Sequence, residues 1–413
     1  LEEKCGQTVG YKIHLENSRS LSTRLDLVTE AILVRQLQED PALQNYSVVV
    51  LDEFHERSIN TDLALAFIKE AMQLRDDIYV IIMSATIDVQ KLQTYLGEQT
   101  PVLQIPGRQF PVTLEYQSEK TVEQAVLSEL KNPQNENGNI LVFLPSISDI
   151  KKTYNNLQPE IPSTYNLSIL HSSVSLDEQK KVLEISDHNI ILSSSIAETS
   201  LTVPGVTCVI DSGLSRINRM NVATGMENLS TEIESEFSAT QRAGRAGRLQ
   251  EGKCVRLWSK ASPRNKNIPC EILRADLCNL VLDCAERGVY KSEQIDWFEA
   301  PGEGSWEGSV KLLKMLEMLD ERGQITKKGK AALKLGVHPR LGSVALESGD
   351  LNLVLKYSSY AQASKETQKR FISDLQNRLS KSEYKSKKLA FNSVLFGFPD
   401  RIAKRISEFG VKP

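Results

Sequence analysis

Short apolar runs rich in β-branched residues alternate with longer amphipathic stretches over the first half of this 413-residue chain. Residues 47–51 and 78–83 are two such runs, and helical periodicity follows them at 62–74 and 89–96. A strand followed by a helix and another strand is typical of a parallel sheet with crossover connections. Because the runs are continuously apolar, we expect both faces of the sheet to be covered. The alternation continues with strands predicted at 140–144, 167–170, 190–192 and 206–210 and helices at 148–157 and 176–185.

Two polar breaks that contain glycine or proline, at 101–111 and 263–269, divide this pattern. Beyond residue 269 the strand signal disappears and helical spacing takes over. The predicted domains are a partial α/β domain over 1–107, a second α/β domain over 108–267 with an inserted hairpin at 216–236, a winged-helix-like domain over 268–335 and a helical bundle over 336–413. Residues 361–390 of the bundle carry eight Lys or Arg against three Asp or Glu. This excess is consistent with either a solvated helix face or a basic wall of a nucleic-acid channel.

Composition excludes several classes of protein. The chain has 50 basic and 53 acidic residues, which argues against a histone-like positive coat but leaves room for a local basic groove. Its apolar stretches are far shorter than the roughly 18–20 residues that a membrane-spanning helix needs. The six cysteines form no CxxC pair and no histidine cluster accompanies them, so zinc is not expected. Scattered thiols and a polar, leaderless N-terminus predict a reduced, cytoplasmic protein without membrane partners.

The sequence LDEFHERS follows the first apolar run directly and contains the adjacent acids Asp52 and Glu53. The carboxyl end of a parallel strand opens onto the crevice where ligands bind. One carboxylate there can hold Mg²⁺, while the next can polarise an attacking water. The alternative is an acidic pair that only solvates a turn. The motif therefore predicts a nucleotide hydrolase without establishing one by itself.

Two hydroxyl-rich segments also follow predicted strands. Ser84-Ala85-Thr86 ends the strand after the acidic motif, where its hydroxyl groups could bond to the acidic loop. The alternative for this short motif is a helix N-cap. Residues 193–206, SSSIAETSLTVPGV, offer many donors to phosphates or sugars, although a simple Ser/Thr-rich connector would have the same composition.

The sequence QRAGRAGR places Arg242, Arg245 and Arg248 at intervals of three after Gln241. On a helix these side chains would lie near one another, and the small residues between them would admit another surface. Clustered guanidinium groups bind phosphates well. Arginines of this kind accelerate phosphoryl transfer by about 10³–10⁵. The alternative is a solvated helix, which the glycines make less stable.

DEFH, SAT, IAETSLT and QRAGRAGR, in this order, resemble the motifs of the DEAH-box helicases of superfamily 2. TRLDLVTEAIL, LCNLVLDCAERG, GVHPRL and FPDRIAKR resemble the bacterial HrpB-type members of that family. The resemblance covers nearly the whole chain. It implies an α/β fold with two RecA-like parallel-sheet domains, the first truncated, followed by winged-helix and helical-bundle regions. It also implies an ATP- and Mg²⁺-dependent RNA helicase or RNP remodeller that moves on single-stranded nucleic acid, RNA more than DNA.

The resemblance also implies roles for individual residues. Asp52 and Glu53 would bind the metal, with Glu53 as general base and His55 contacting the second domain near Gln241. Phe54 stands where the family usually has Ala, and Ser194-Ser195 replaces its usual Thr-Asn. The catalytic set would be Glu53, Asp52, His55, Gln241, Arg245 and Arg248. Nucleotide would contact Ser84, Thr86, Ser200, Asp211 and Arg242. The nucleic-acid backbone would contact Thr29, Glu30, His171, Ser172, Thr199 and Thr202.

No glycine-rich phosphate loop ending in Gly-Lys-Thr/Ser occurs in the chain: Gly252-Lys253 precedes Cys254, and Gly329-Lys330 precedes Ala331. The family places that loop upstream, so we expect a truncated chain that alone binds ATP poorly and hydrolyses it negligibly. Two other classes stay open. One is a non-enzymatic RNA-binding scaffold, and the other is a DNA-directed translocase.

Overall fold

The computed structural model describes residues 3–13, 15–85, 88–105, 107, 110–132, 138–185, 187–199, 201–221, 226–361, 363–384, 392–401, 404–405 and 411–412. The chain divides into two compact units. Unit 1 comprises residues 1–102, 220–227 and 270–413, and unit 2 comprises 103–219 and 228–269. Across the ranges just given, no helix is both long and apolar enough to cross a lipid bilayer. The four-domain division remains a prediction.

Unit 1 begins with two small sheets and three helices. Its elements are β1 Val9–Ile13, β2 Glu16–Ser18, β3 Leu25–Val28, α1 Glu30–Glu39, β4 Val48–Leu51, α2 Ile59–Leu74, β5 Tyr79–Ile82 and α3 Val89–Leu96. β1 pairs in parallel with β3 and antiparallel with β2. β4 and β5 form a parallel pair in which Leu51 lies opposite Ile82. The carboxyl ends of β4 and β5 therefore lie side by side.

Helix α2 explains how β4 is held. The helix begins after Ser58, whose side chain accepts a hydrogen bond from the Thr61 amide, a standard N-cap. Its residues Leu63, Phe67 and Ile68 are fully buried and belong to the same apolar core as Val49 and Leu51 of β4. The site at the end of β4 therefore stands on a well-packed helix.

The expectation that both faces of this sheet are covered is wrong for β4 and β5. Val48 and Val50 are 48% and 44% exposed, and Tyr79 and Ile81 are 68% and 48% exposed. A continuous apolar run shows that a strand is apolar on both sides, but it does not supply the layer that would cover the second side. In the described part of the chain, only one face of this pair is packed.

Unit 2 is built on a parallel sheet of six strands with helices on both faces. Its elements are β6 Val112–Tyr116, α4 Val122–Glu129, β7 Asn139–Phe143, α5 Ile147–Leu157, β8 Asn166–Leu170, α6 Leu176–Glu184, β9 Asn189–Ser193, β10 Val206–Asp211, β11 Leu214–Asn221, β12 Met226–Ile233, α7 Glu236–Gly244 and β13 Gly252–Arg256. The last two residues of β11 and the first two of β12 fall within the segment 220–227 that is assigned to unit 1. The strand order is β6-β13-β10-β7-β9-β8, and all five neighbouring pairs are parallel. β7, β9 and β10 are buried along their whole length. Two apolar clusters cover the two faces, so the predicted α/β fold with a parallel sheet is confirmed.

The hairpin predicted at 216–236 corresponds to β11 and β12, which form a two-stranded sheet. Residues 222–225 at its tip lie outside the described residues. Strands β6 and β13 were not predicted. β6 reads VTLEY, with polar residues between apolar ones, and β13 begins at Gly252.

The remainder of unit 1 is mainly helical. Its elements are α8 Cys278–Glu286, α9 Glu303–Met315, α10 Lys327–Leu335, α11 Pro339–Ser348, α12 Leu351–Tyr357, α13 Lys365–Ser380, α14 Ser393–Gly397 and the short antiparallel strands β14 Lys404–Arg405 and β15 Val411–Lys412. A bridge between Leu319 and Ile325 closes a short wing between α9 and α10. The core of these helices is continuous with that of α1 and α2. The strands β14 and β15 lie where the sequence predicted only helices.

Candidate active site

The acidic turn, residues 52–57, follows the carboxyl end of β4. The carboxylates of Asp52 and Glu53 are exposed, whereas Phe54 is fully buried. The Glu53 amide donates a 2.8 Å hydrogen bond to Oδ1 of Asp52. The turn thus presents two adjacent carboxylates to solvent on a buried aromatic anchor.

The backbone of this turn is strained at both ends. Phe54–Glu56 forms a 3₁₀ turn, flanked by Glu53 with φ 49° and Arg57 with φ 48°. Left-handed conformations cost non-glycine residues roughly 1–3 kcal/mol each and persist only where the surroundings hold them. The turn therefore depends on contacts outside itself to keep its acids in place.

One set of contacts comes from the end of β5, where the SAT motif lies. The Phe54 amide donates to the Met83 carbonyl at 3.0 Å, and the Met83 amide donates to the Leu51 carbonyl at 2.8 Å. The Ala85 amide donates to Nδ1 of His55 at 3.4 Å, and the same nitrogen lies 3.4 Å from Oε2 of Glu53. The acidic turn and residues 84–85 are therefore tied together. Thr86 lies outside the described residues, and Ser84 is partly buried.

The arginine segment, residues 241–248, belongs to unit 2, and it is not one helix. Helix α7 begins after Ser235, whose side chain caps it, and ends at Gly244. The predicted helical stacking of Arg242, Arg245 and Arg248 is wrong because the chain leaves the helix between the first and second arginines. Gly247 is required there, since a Cβ would lie 2.5 Å from the Phe110 carbonyl oxygen.

Arg242 lies in a buried ion cluster, which we define as Arg242, Glu198, Asp211 and Glu234. Its Nε lies 2.9 Å from Oε2 of Glu198, its Nη1 lies 3.0 Å from Oδ1 of Asp211, and it also contacts Glu234. Arg242 is 1% exposed, and Asp211 and Glu234 are fully buried. The charged groups of Arg242 and Asp211, which were predicted to contact nucleotide, face each other in the interior of unit 2.

The burial of this cluster and the charges within it shift the pKa values of Glu234 and Arg242. Loss of water and the neighbouring Asp211 carboxylate raise the pKa of Glu234 above its usual value of 4.5. The pKa of Arg242 is also raised, because Asp211, Glu234 and Glu198 favour its charged form against the effect of burial. The cluster thus holds a charged guanidinium among three acids, with Glu234 binding a proton more tightly than it would in water.

The other residues of the arginine segment have different surroundings. Arg245 is buried and donates to the carbonyls of Glu198 and of Leu201, the latter at 2.9 Å. Arg248 is exposed and donates to the Thr202 hydroxyl at 3.0 Å. Gln241 is partly buried. The arginine segment is therefore hydrogen-bonded to the loop after β9, and its last arginine is exposed at the surface of unit 2.

The residues expected to contact a nucleic-acid backbone lie at loop and helix ends. Thr29 and Glu30 are exposed at the beginning of α1, and Ser172 is exposed after β8. The Nδ1 of His171 accepts the Ser173 amide hydrogen at 3.0 Å, and burial with nearby Lys151 lowers the pKa of this imidazole. A lowered pKa keeps His171 neutral at pH 7. Thr199 is partly buried and Thr202 exposed, while Ser200 lies outside the described residues.

Sequence reasoning missed two residues that support these sites. Arg57 donates to Asp62 at 2.6 Å and closes the acidic turn. Glu234 completes the buried ion cluster. A signal existed for Glu234 in the acid-rich TEIESE sequence before α7, but nothing in the sequence marked which acid is buried.

The donor set of the acidic turn fits Mg²⁺. Asp52 and Glu53 supply exposed carboxylate oxygens, which are hard ligands of the kind that Mg²⁺ prefers. Placed at the carboxyl end of a parallel strand, they could also polarise a water molecule near a bound phosphate. In unit 2, the guanidinium of Arg248 is suited to phosphate oxygens.

Comparisons with known proteins agree on one family. Residues 121–250 match the model of the helicase conserved C-terminal domain. The chain is 36% identical over 358 residues to the ATP-dependent RNA helicase HrpB of Escherichia coli, which covers 84% of this chain and 44% of that protein. It is 34% identical over 371 residues to an ATP-dependent RNA helicase HrpA homologue of Haemophilus influenzae, covering 86% of this chain and 28% of that protein.

Solved structures give the same result. A crystal structure of the Escherichia coli DEAH/RHA helicase HrpB matches with a TM-score of 0.84 at 32% identity, over 98% of this chain and 55% of that one. A crystal structure of the Escherichia coli DExH-box NTPase HrpB matches with a TM-score of 0.80 at 32% identity, over 98% of this chain and 54% of that one. The chain spans less than half the length of these curated relatives and about half of the solved chains.

Proposed function

Because this chain is related to the DEAH-box helicases HrpB and HrpA, we propose that the protein containing it is an ATP-dependent RNA helicase or RNP remodeller. It couples hydrolysis of Mg-ATP to movement on single-stranded nucleic acid. The observation that carries the proposal is the acidic turn: two exposed carboxylates stand at the carboxyl end of β4, and the residues on either side of them, Leu51 and Phe54, are hydrogen-bonded through their backbone to Met83 after β5. This is the position from which parallel-sheet proteins act on ligands.

In the proposed reaction, Glu53 takes the proton of the attacking water, and Asp52 holds the metal ion. Bound Mg²⁺ supplies positive charge that offsets the charge of the phosphate oxygens. Gln241, Arg245 and Arg248 stabilise the charge on the transferred phosphoryl group, a contribution of about 10³–10⁵ in rate for such arginines. Arg245 must then reorient its donors from the carbonyls of residues 198 and 201 toward phosphate.

His55 lies against Ala85, so it can report the state of the acidic turn to the SAT motif. We assign Ser84 and Thr86 the coupling of hydrolysis to the grip on RNA, and Ser200 the sensing of bound nucleotide. Thr29, Glu30, His171, Ser172, Thr199 and Thr202 contact the nucleic-acid backbone. Contacts of this kind are made mainly to phosphates and sugars and carry little sequence preference.

We also propose a cytoplasmic location. All six cysteines are free thiols, and four of them are buried, as is usual in proteins of a reducing compartment. No membrane partner is proposed.

The proposal is tested by the ATPase rate of the full-length protein without nucleic acid, with single-stranded RNA and with single-stranded DNA. We expect RNA to increase the rate more than DNA does. A rate that responds only to DNA would make the protein a DNA-directed translocase. RNA binding without hydrolysis would make it a scaffold, and either result would contradict the proposal.

A further inference from the structure

The acidic turn has a second support, which comes from residues on either side of α8, Glu271 before that helix and Phe298 and Glu299 after it, rather than from β5. The Glu271 amide donates to the Arg57 carbonyl at 3.2 Å, and Oε2 of Glu271 accepts the Ile59 amide hydrogen at 2.9 Å. The first hydrogen bond holds the carboxyl end of the turn, and the second holds the beginning of α2. The turn is therefore bonded to the predicted winged-helix-like region as well as to its own sheet.

Phe298 is the centre of this support. Its ring centroid lies 5.8 Å from that of Phe54, and the two rings are tilted by 55°. Phe298 is 7% exposed and Phe54 is fully buried. Ring pairs at such distances add about 0.5–1.5 kcal/mol beyond the burial of their surface. The position after Asp52-Glu53, where the family usually has Ala, is thus filled by a ring that requires a partner, and Phe298 supplies it.

Arg57 completes the contact. Its guanidinium carbon lies 4.5 Å from the Phe298 ring centroid and 5.4 Å from that of Phe54. Its Nη2 lies 3.4 Å from Oε2 of Glu299, the residue next to Phe298. Arg57 is also one of the two left-handed residues that shape the turn. Phe298 and Glu299 therefore hold both the anchor of the turn and its strained last residue.

The same two residues contact helix α3. The ring of Phe298 meets that of Tyr95 edge-on at 5.4 Å, and Nζ of Lys91 lies 3.2 Å from Oε2 of Glu299. A displacement of residues 298–299 would therefore disturb contacts with both the acidic turn and α3.

We infer that Phe298 and Glu299 are positioning residues for hydrolysis: through Phe54 and Arg57 they fix the backbone that carries Asp52 and Glu53. This inference rests on the proposed function for its catalytic consequence. A shift of residues 292–299 changes the hydrolysis rate without a contact to nucleotide. The helical region that follows unit 1's sheets thereby acts on the acidic turn.

The first experiment needs no activity. Hydrogen exchange is measured on the 413-residue chain for the amides of residues 52–58 in Phe298→Ala. The matched control is Phe371→Ala, because Phe371 is a buried ring like Phe298 and stacks on another ring, that of Tyr360, at 4.6 Å. We expect exchange in 52–58 to accelerate by about tenfold or more, as expected when an amide's local opening becomes easier, in Phe298→Ala alone. Equal exchange in both variants would overturn the inference.

The second experiment uses the full-length protein and gentler changes, Phe298→Leu and Glu299→Gln, with Phe371→Leu as control. We expect kcat to fall by about tenfold to a hundredfold in Phe298→Leu, the range for a small misplacement of reacting groups. Glu299→Gln should lower kcat in the same direction and by less, and KM for ATP should stay unchanged in both. A fall in kcat no larger than that of Phe371→Leu would contradict the inference. If the unaltered protein hydrolyses no nucleotide, the proposed function fails, and the exchange experiment still decides the positioning role.

Discussion

Unit 1 and unit 2 each carry one charged motif, and the two motifs use burial in opposite ways. In the acidic turn of unit 1, the charged residues Asp52 and Glu53 are exposed and an apolar residue, Phe54, is buried. In the arginine segment of unit 2, Arg242 is 1% exposed and surrounded by carboxylates. The exposed acids of unit 1 are accessible to a ligand, whereas the buried guanidinium of Arg242 is enclosed by the carboxylates with which it pairs and stabilises unit 2.

The largest expected effect is on the buried ion cluster. Arg242→Ala would leave Asp211, Glu198 and Glu234 without their common counter-charge. Breaking a buried ion pair from one side costs about 3–5 kcal/mol. We expect a loss of this size in the free energy of unfolding of unit 2, measured by chemical denaturation. Arg248→Ala is the matched control, since Arg248 is exposed, and it should cost less than about 1 kcal/mol. Similar losses in the two variants would erase the distinction between the two arginines.

In the acidic turn, we expect the buried apolar residue rather than the charged residue to determine the free energy of unfolding. Phe54→Ala removes a fully buried ring, and such truncations cost about 3–5 kcal/mol. Glu53→Gln alters an exposed group and should change the free energy of unfolding by less than about 0.5 kcal/mol. Both are measured on unit 1 in the 413-residue chain. If Glu53→Gln destabilises unit 1, this carboxylate stabilises the fold, and the difference drawn between the exposed acids of unit 1 and the buried Arg242 of unit 2 is contradicted.

A smaller effect is expected in the pH dependence of unit 2. Burial and Asp211 raise the pKa of Glu234 in the folded state, while Arg242, Glu198 and Arg264 are the other charged groups close to it. Between the unfolded pKa of 4.5 and the raised folded value, the folded state binds the proton that the unfolded state has lost. The stability that the folded state gains from binding this proton is complete below pH 4.5, and it is lost as the pH rises toward the raised pKa of Glu234.

Glu234→Gln should therefore reduce the decline in unit 2 stability between pH 5 and pH 8. The expected difference from the unaltered chain is about 1.4 kcal/mol per pH unit at most. Thermal or urea unfolding at a series of pH values measures it. If the two chains decline in parallel, Glu234 is not protonated in the folded state.

The smallest effect concerns the exposed end of the arginine segment. Thr202→Val removes the hydroxyl that accepts from Arg248 at 3.0 Å. Both groups are exposed, so stability should change by less than about 0.5 kcal/mol. RNA affinity of the full-length protein should weaken by about threefold to tenfold, the equivalent of one hydrogen bond. Filter binding at fixed salt measures this change, and Thr202→Ser, which keeps the hydroxyl, should restore the affinity.

The two units also differ in how far the sequence predicted them. The helix predicted at 89–96 is α3, and the strands around β7, β9 and β10 were found because their apolar runs are continuous. Strands β6 and β13 were missed because their sequences mix polar and apolar residues or begin at glycine. The open face of β4 and β5 could not be foreseen, since an apolar run does not identify what packs against it.

The sites divide in the same way. Asp52 and Glu53 could be predicted as candidate site residues because they directly follow an apolar run that predicts a strand. The burial of Arg242 was not, because two of its partners, Glu198 and Asp211, lie 44 and 31 residues away in the sequence. Only the folded sheet brings them together. Likewise, the contact of Phe298 with Phe54 joins residues from two segments of unit 1, 1–102 and 270–413, that are far apart in the sequence.

The central claim is that the acidic turn is where nucleotide is hydrolysed, and Glu53→Gln in the full-length protein tests it most directly. The RNA-stimulated ATPase rate should fall by about 10²–10⁴, the contribution of a general base, while RNA binding and the unfolding midpoint stay unchanged. An unaltered ATPase rate in that variant would contradict the account.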